Sequence, residues 1–305
     1  MTRLLGDLPG YIYGTTRLGD PSIPRQQRVA AARAAFERGL WMHTSRQYGE
    51  ALEVLGEVFA DGRSAEAAST TSLIVKLGGG TEADVRATLR ENLDPLGIDS
   101  VAIGQLSPVD GLEEQLLSGS SSLAGFTRLK DEGLVGRFVL EIFPWTSAAP
   151  LQALRSGHLD GLIDGVITYY NPLQRFASND LWAELLDRDV SIISMRTVAG
   201  APVHALRDIP GAAWLPYLKD RAADIAPVFE RSGIDSWAEF CLRFVRSLPQ
   251  VVSTVGSTSQ SAHLHELISQ SADPAPLPNE VLEEIYELQA RWSDETDVHA
   301  APWSM

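Results

Sequence analysis

The sequence predicts an α/β fold, a (β/α)8 TIM barrel with an extra C-terminal helix, forming one domain over residues 1–305. Eight short apolar or β-branched runs alternate with helical patterns along almost the whole chain. The length of 305 residues suits one such barrel. The main competitor, a doubly wound sheet, usually carries a G-x-G-x-x-G turn after its first strand, whereas here that turn reads Gly14-Thr15-Thr16-Arg17-Leu18-Gly19.

The first predicted strand is Tyr11–Tyr13. A helix follows over Pro24–Arg38, with proline in its first turn and Gly39 as its stop. The second strand is predicted at Leu40–Met42, before a helix over Tyr48–Ala60 with Leu52, Leu55 and Phe59 at helical spacing. The third strand, Ser72–Lys76, leads to Thr81-Glu82-Ala83-Asp84, a capping box with aspartate in place of glutamate that opens a helix to Leu93. Strand four is Val101–Leu106. The helical region Gly111–Glu132 after it contains a polar break, Ser118–Ser122, read as a loop. Strands at Phe138–Phe143, Val166–Tyr170 and Val190–Ser194 alternate with helices at Pro150–Ser156, Asn179–Leu186, Tyr217–Arg231 and Ser236–Ser247. The eighth strand, Val251–Val255, precedes a helix at Ser261–Ser269. A stiff proline-rich connector, Asp273–Pro278, then introduces the extra helix, Asn279–Trp292.

Composition narrows the partners. A net charge of −15 with no local basic patch argues against nucleic acid and against an anionic membrane surface. No apolar run reaches the roughly 18 residues of a membrane span, and the N-terminus lacks the basic-then-apolar order of a signal peptide. Cys241 is the only cysteine, so no intrachain disulfide forms and a cytoplasmic location is expected. The histidines and Cys241 show no metal-ligand spacing: His263 and His265 belong to an amphipathic helix, His158 and His204 to loops. The expected partner is a small-molecule substrate, and the oligomeric state is left open.

In a barrel the chemistry belongs at the C-terminal ends of the strands. His43 ends the second strand, with Tyr48 just beyond it. Lys76 ends the third, Ser107 the fourth, Glu141 and Phe143 the fifth, Tyr170 the sixth and Arg196 the seventh. A tyrosine hands over a proton readily only when its pKa falls from about 10, and a buried lysine nearby favours the phenolate. Tyr48 and Lys76 are therefore the candidate acid–base pair. Trp41, Phe143, Trp145, Tyr169, Tyr170 and Trp214 are candidates to wall an apolar or sugar-stacking pocket.

At these residues the chain resembles the aldo-keto reductases, from about Gly14 to Trp292. Gly14-Thr15-Thr16-Arg17-Leu18-Gly19 resembles that family's G-T-x-x-x-G, and Gly39 to Gly49 its G-x-x-x-x-D-T-A-x-x-Y-G. Glu53-Val54-Leu55-Gly56, Val75-Lys76, Tyr170-Asn171-Pro172-Leu173 and Val255-Gly256-Ser257-Thr258 follow in the family's order. The resemblance implies a barrel that binds NADP(H) or NAD(H) and reduces aldehydes, ketones or sugar carbonyls with an Asp, Tyr, Lys, His tetrad. Tyr48 and Lys76 match the tetrad, while His43 stands at the aspartate position and Ser107 at the histidine position. Gly14, Thr15, Ser194, Arg196, Gly256, Ser257 and Thr258 fall at cofactor-binding positions. The nicotinamide anchors are replaced, by Ile142-Phe143 on strand five, Ile167 on strand six and Ile193 on strand seven. Ala262 and Glu266 stand where an arginine meets the 2′-phosphate and an asparagine meets adenine. The strand five and six replacements alone remove three polar contacts, which at about 1 kcal/mol each weakens binding by roughly two orders of magnitude.

Without its aspartate, Lys76 loses an anionic partner and its charged form becomes less favourable, unless Glu141 points into the mouth and replaces it. Three functions stay open. The first is an oxidoreductase acting on a small carbonyl or sugar-like substrate, with Tyr48 as proton donor, Lys76 perturbing it, and an atypical cofactor site. The second is a cofactor-independent lyase, dehydratase or isomerase using the Tyr48–Lys76 pair. The third is a non-catalytic barrel binding protein.

Overall fold

A computed structural model of the chain describes residues 4–62, 72–143, 146–198, 216–272 and 275–295. The strands are β1 (Tyr11–Gly14), β2 (Met42–Thr44), β3 (Leu73–Gly78), β4 (Val101–Leu106), β5 (Val135–Ile142), β6 (Ile163–Asn171), β7 (Gln174–Arg175), β8 (Ile192–Met195) and β9 (Val251–Ser257). All except β7 run parallel and close into an eight-stranded barrel, β1 pairing with both β2 and β9, and β5 with both β4 and β6. β7 is an antiparallel return on the end of β6. The helices are α1 (Arg25–Glu37), α2 (Ala51–Gly62), α3 (Glu82–Leu96), α4 (Leu112–Ser118), α5 (Ser120–Asp131), α6 (Ala148–Arg155), α7 (Asn179–Asp187), α8 (Pro216–Arg231), α9 (Trp237–Arg246), α10 (Ser261–Ser271) and α11 (Asn279–Glu295). The last lies beyond the eight repeats, as the sequence predicts. No helix among the described residues is long and apolar enough to cross a membrane.

Strand alternation sorts the core into two shells. Outward residues such as Tyr13, Val75, Leu140 and Ile142 pack against the helices. Inward residues Ile12, Ile74, Ile103, Val139, Ile167 and Ile193 fill the barrel. Each such aliphatic burial contributes roughly 1.5–3 kcal/mol. Leu5 and Leu8 join the inner shell and plug the end where the strands begin. Arg137 ties that plug down, its Nη1 donating to Leu4 O and pairing with Asp7 at 2.6 Å.

One step further along four successive strands, the inward position turns polar: His43 on β2, Lys76 on β3, Gln105 on β4 and Glu141 on β5. The aliphatic layer beneath isolates this ring from the plugged end.

Boundaries differ from the sequence reading in places. The second strand starts at Met42 rather than Leu40, because the Leu40 N–H closes the end of α1 on Ala35 O. The predicted helix over Gly111–Glu132 splits into α4 and α5 at Gly119, whose φ of +107° a non-glycine residue rarely adopts. β7 was not foreseen. It follows a turn in which Asn171 Oδ1 accepts from Leu173 N at 2.9 Å. The Thr81–Asp84 capping box forms as read.

Candidate active site

Two bare backbones fix Tyr48. Gly19 lies so close to the Tyr48 carbonyl that a Cβ there would stand 1.5 Å from its oxygen. A Cβ on Gly49, at φ +54°, would stand 2.5 Å from Gly19 O. Only glycine fits either position, so the turn after β1 acts as a template for the start of α2.

Tyr48 lines a cleft of about 700 Å³ at the barrel mouth, together with Thr16, Arg17, His43, Tyr169 and Arg196. Burial raises the Tyr48 phenol well above its ordinary pKa. The Glu141 carboxylate and Tyr169 add to the rise, while a hydrogen bond with Thr16 and the charge of Arg196 oppose it. The expectation that Lys76 lowers this pKa is therefore corrected: desolvation dominates, and the net direction is upward.

His43 lies beside Tyr48, ring centroids 6.0 Å apart. Burial pulls its imidazole down to about 4, and Lys76 acts in the same direction; the contact with Gln105 and the charge of Glu141 oppose it. His43 is thus neutral at pH 7. Its Nε2 lies 2.6 Å from Gln105 Oε1. With the amide oxygen as acceptor, the proton sits on Nε2 and Nδ1 keeps its lone pair.

Lys76 Nζ is 3.2 Å from Glu141 Oε1, an ion pair that does not align as a hydrogen bond. Ser107 Oγ donates to the other oxygen, Oε2, at 2.5 Å. Glu141 does point into the mouth. Lys76 has not lost an anion; its partner comes from β5 instead of β2.

Among the residues at cofactor-binding positions, Gly14, Arg196, Gly256 and Ser257 line the large cleft. Thr15, Ser194 and Thr258 instead spend their hydroxyls within the fold. Thr15 Oγ1 reaches Thr44 Oγ1 at 2.9 Å, Ser194 Oγ donates to Tyr170 O at 2.6 Å, and Thr258 Oγ1 accepts from Gln260 N at 3.1 Å. Arg196 adopts φ +50° and stacks its guanidinium 4.7 Å from the Tyr169 ring centre.

The aromatic candidates divide. Tyr169 reaches the mouth, edge-to-face with Phe143 at 6.3 Å. Trp41 does not: it sits under Arg137, at the plugged end of the barrel. Tyr170 points outward between Trp182 and Phe244. Trp145, Trp214 and His204 lie outside the described residues. Sequence reading missed Gln105, whose signal is a lone amide two residues after Ile103 in an otherwise apolar strand, and Thr16, whose signal is its place in the turn that templates Tyr48.

Comparison with known proteins then bears on this geometry. Residues 11–290 match the family described as "Aldo/keto reductase family". No curated protein matches the chain in sequence. Among solved structures, an aldo-keto reductase from Klebsiella pneumoniae in complex with NADPH superposes with TM-score 0.65 at 20% identity, covering 93% of this chain and 92% of its own. A Klebsiella pneumoniae aldo/keto reductase in complex with NADP and acetate gives TM-score 0.64 at 20% identity, over 93% and 92% of the two chains. A Pseudomonas aeruginosa protein assigned to the same family gives 0.57 at 20% identity, over 87% and 90%. At that identity the likeness is one of fold.

Proposed function

This chain belongs to the aldo/keto reductase family, and on that premise we propose that it is an oxidoreductase acting on a small carbonyl or sugar-like substrate, with Tyr48 as proton donor. The observation that carries this reading is the placement of Tyr48: its phenol faces the large cleft, bonded to Thr16 and beside a neutral histidine. A raised phenol pKa keeps the proton on Tyr48 at neutral pH. It is released to an oxygen that becomes strongly basic as its carbonyl is reduced, and that gain in basicity offsets the weaker acidity of the buried phenol. Neutral His43 borders the same cleft without adding a charge, its Nε2 proton held by Gln105. The Lys76 ammonium is held and compensated by Glu141 deeper in the barrel.

The donor set of the cleft fits the phosphates of NADP(H) or NAD(H). Arg196 provides a guanidinium and Ser257 a hydroxyl, while Arg17 lines the same cleft with its Nη1 held by Asp20 at 2.9 Å. Bound there, the nicotinamide supplies the hydride. The inner end would offer it no side-chain amide: Ile142 faces the helices, and Ile167 and Ile193 lie in the aliphatic layer. The test is turnover of small hydroxyaldehydes with NADPH or NADH. Tyr48→Phe should lower kcat at least about a hundredfold; unchanged turnover removes Tyr48 from the chemistry.

The second reading, a cofactor-independent lyase, dehydratase or isomerase, is favoured by one observation. Lys76 and Glu141 make a buried base and ammonium pair that reaches solvent by a route apart from the large cleft.

A further inference from the structure

The chain contains three lysines, Lys76, Lys130 and Lys219, against 22 arginines. In a sequence that uses arginine for most of its cations, Lys76 is the one amine among the described residues that line the barrel mouth, and so the one cation there that can lose its proton and act as a nucleophile. A guanidinium would supply the charge but not that chemistry.

The Lys76 side chain is 12% exposed. It opens onto a second cleft of about 450 Å³, with Ser45, Gln47, Gly79, Thr88 and Asp110 among its lining. Gln47 borders both clefts and so stands between them. No aromatic residue lines the second cleft among the described residues; its walls are mostly hydroxyl, amide, carboxylate and glycine, with Leu77 and Ala87 as aliphatic patches. The volume suits a small molecule. Asp84, Glu91 and Asp110 disfavour an anionic one, since Arg46, the other cation there, is already paired with Glu91. Behind the amine stands Glu141, 1% exposed, held on its far oxygen by Ser107.

We propose that Lys76 is an imine-forming nucleophile for small uncharged hydroxyaldehydes entering by the second cleft, with Glu141 as its base. Glu141 Oε1 takes one proton from the ammonium. The freed lone pair forms the C–N bond to the aldehyde carbon while the carbonyl π pair moves to oxygen. The nitrogen gives a second proton to that oxygen, making a carbinolamine. The C–O bond then breaks, and the oxygen leaves as water with the proton Glu141 held. Two ammonium protons end on water, one remains on the nitrogen of a protonated imine, and Glu141 is again a carboxylate. Nothing is oxidised or reduced. The step needs neither Tyr48 nor a nicotinamide, so it stands or falls apart from the reductase reading.

The experiment treats the whole protein with glycolaldehyde and sodium cyanoborohydride, which reduces an imine to a stable amine, and follows each lysine by peptide mass spectrometry. Lys130 is the internal reference: its Nζ lies 3.5 Å from Asp164 and lines neither cleft. Lys76 is expected to acquire the label at least about tenfold faster than Lys130, and Glu141→Gln to lower the Lys76 rate by about tenfold while leaving Lys130 unchanged. Thr88→Trp, which narrows the second cleft at its rim, gives the same contrast without touching the ion pair. Labelling of Lys76 no faster than Lys130 in the unaltered protein overturns the proposal.

Discussion

The Glu141 carboxylate on β5 lies 3.2 Å from the Lys76 ammonium on β3, with Gln105 of β4 on the strand between them. This pairing keeps a buried cation compensated in a barrel whose β2 position carries His43 rather than an acid. Two partnerships replace one: Lys76 with Glu141, and His43 with Gln105.

Breaking the first pair should be costly. Glu141→Gln leaves a mostly buried ammonium without its anion, a change worth about 3 kcal/mol. Urea denaturation should show that loss, and replacing both partners by apolar residues (Lys76→Met with Glu141→Leu) should recover most of it. A loss below about 1 kcal/mol for Glu141→Gln is the result expected of a solvated pair instead.

His43 gives the protein an acid-sensitive limb. Its pKa is depressed in the fold to about 4, against an ordinary 6.5, so between those values the unfolded chain binds more protons. The contribution is fully present above pH 6.5 and is lost as pH falls toward 4, reaching roughly 3 kcal/mol. Unfolding free energy measured against pH should fall over that window. The fall should be shallower in His43→Gln; equal slopes would mean that His43 already titrates normally in the fold.

Gly19 should tolerate no side chain. Gly19→Ala drives a Cβ into the Tyr48 carbonyl, costing about 2–3 kcal/mol and moving the phenol. Gly39→Ala, at φ +62° with open space around it, pays only the backbone strain of about 1 kcal/mol. Thermal unfolding of the two variants should rank them in that order, and Gly19→Ala alone should lose turnover.

Much of this was legible from the chain. Alternation of apolar runs with helical periods gave the barrel, and the lysine ending an apolar run placed Lys76 at its mouth. The Thr81–Asp84 box could be read because a cap is a local event. Tertiary register was not readable in the same way. Nothing local in Glu141 says that it faces inward toward Lys76, nor that Gln105 meets His43, since both depend on how neighbouring strands stagger. The same limit applies to Trp41. It lies two residues before His43 on the same inward face, and one pleat of displacement moves it to the plugged end. For Tyr48, a nearby cation was visible in sequence, but its pKa is set mainly by burial, which is a property of the assembled mouth.

Cofactor choice should follow from α10. Ala262 and Glu266 are both exposed there, so the helix offers no guanidinium to a 2′-phosphate and places a carboxylate on the same surface. If the large cleft takes a dinucleotide, NADPH and NADH should bind within about tenfold of each other. A preference for NADPH of about a hundredfold would mean that the phosphate is met elsewhere.

The most direct measurement is a titration of the protein with NADPH and with NADH, followed through the fluorescence of its seven tryptophans. Saturable quenching below millimolar cofactor is the expected result and supports an oxidoreductase whose large cleft holds the nicotinamide beside Tyr48. Absence of binding at millimolar concentration of either cofactor would contradict it.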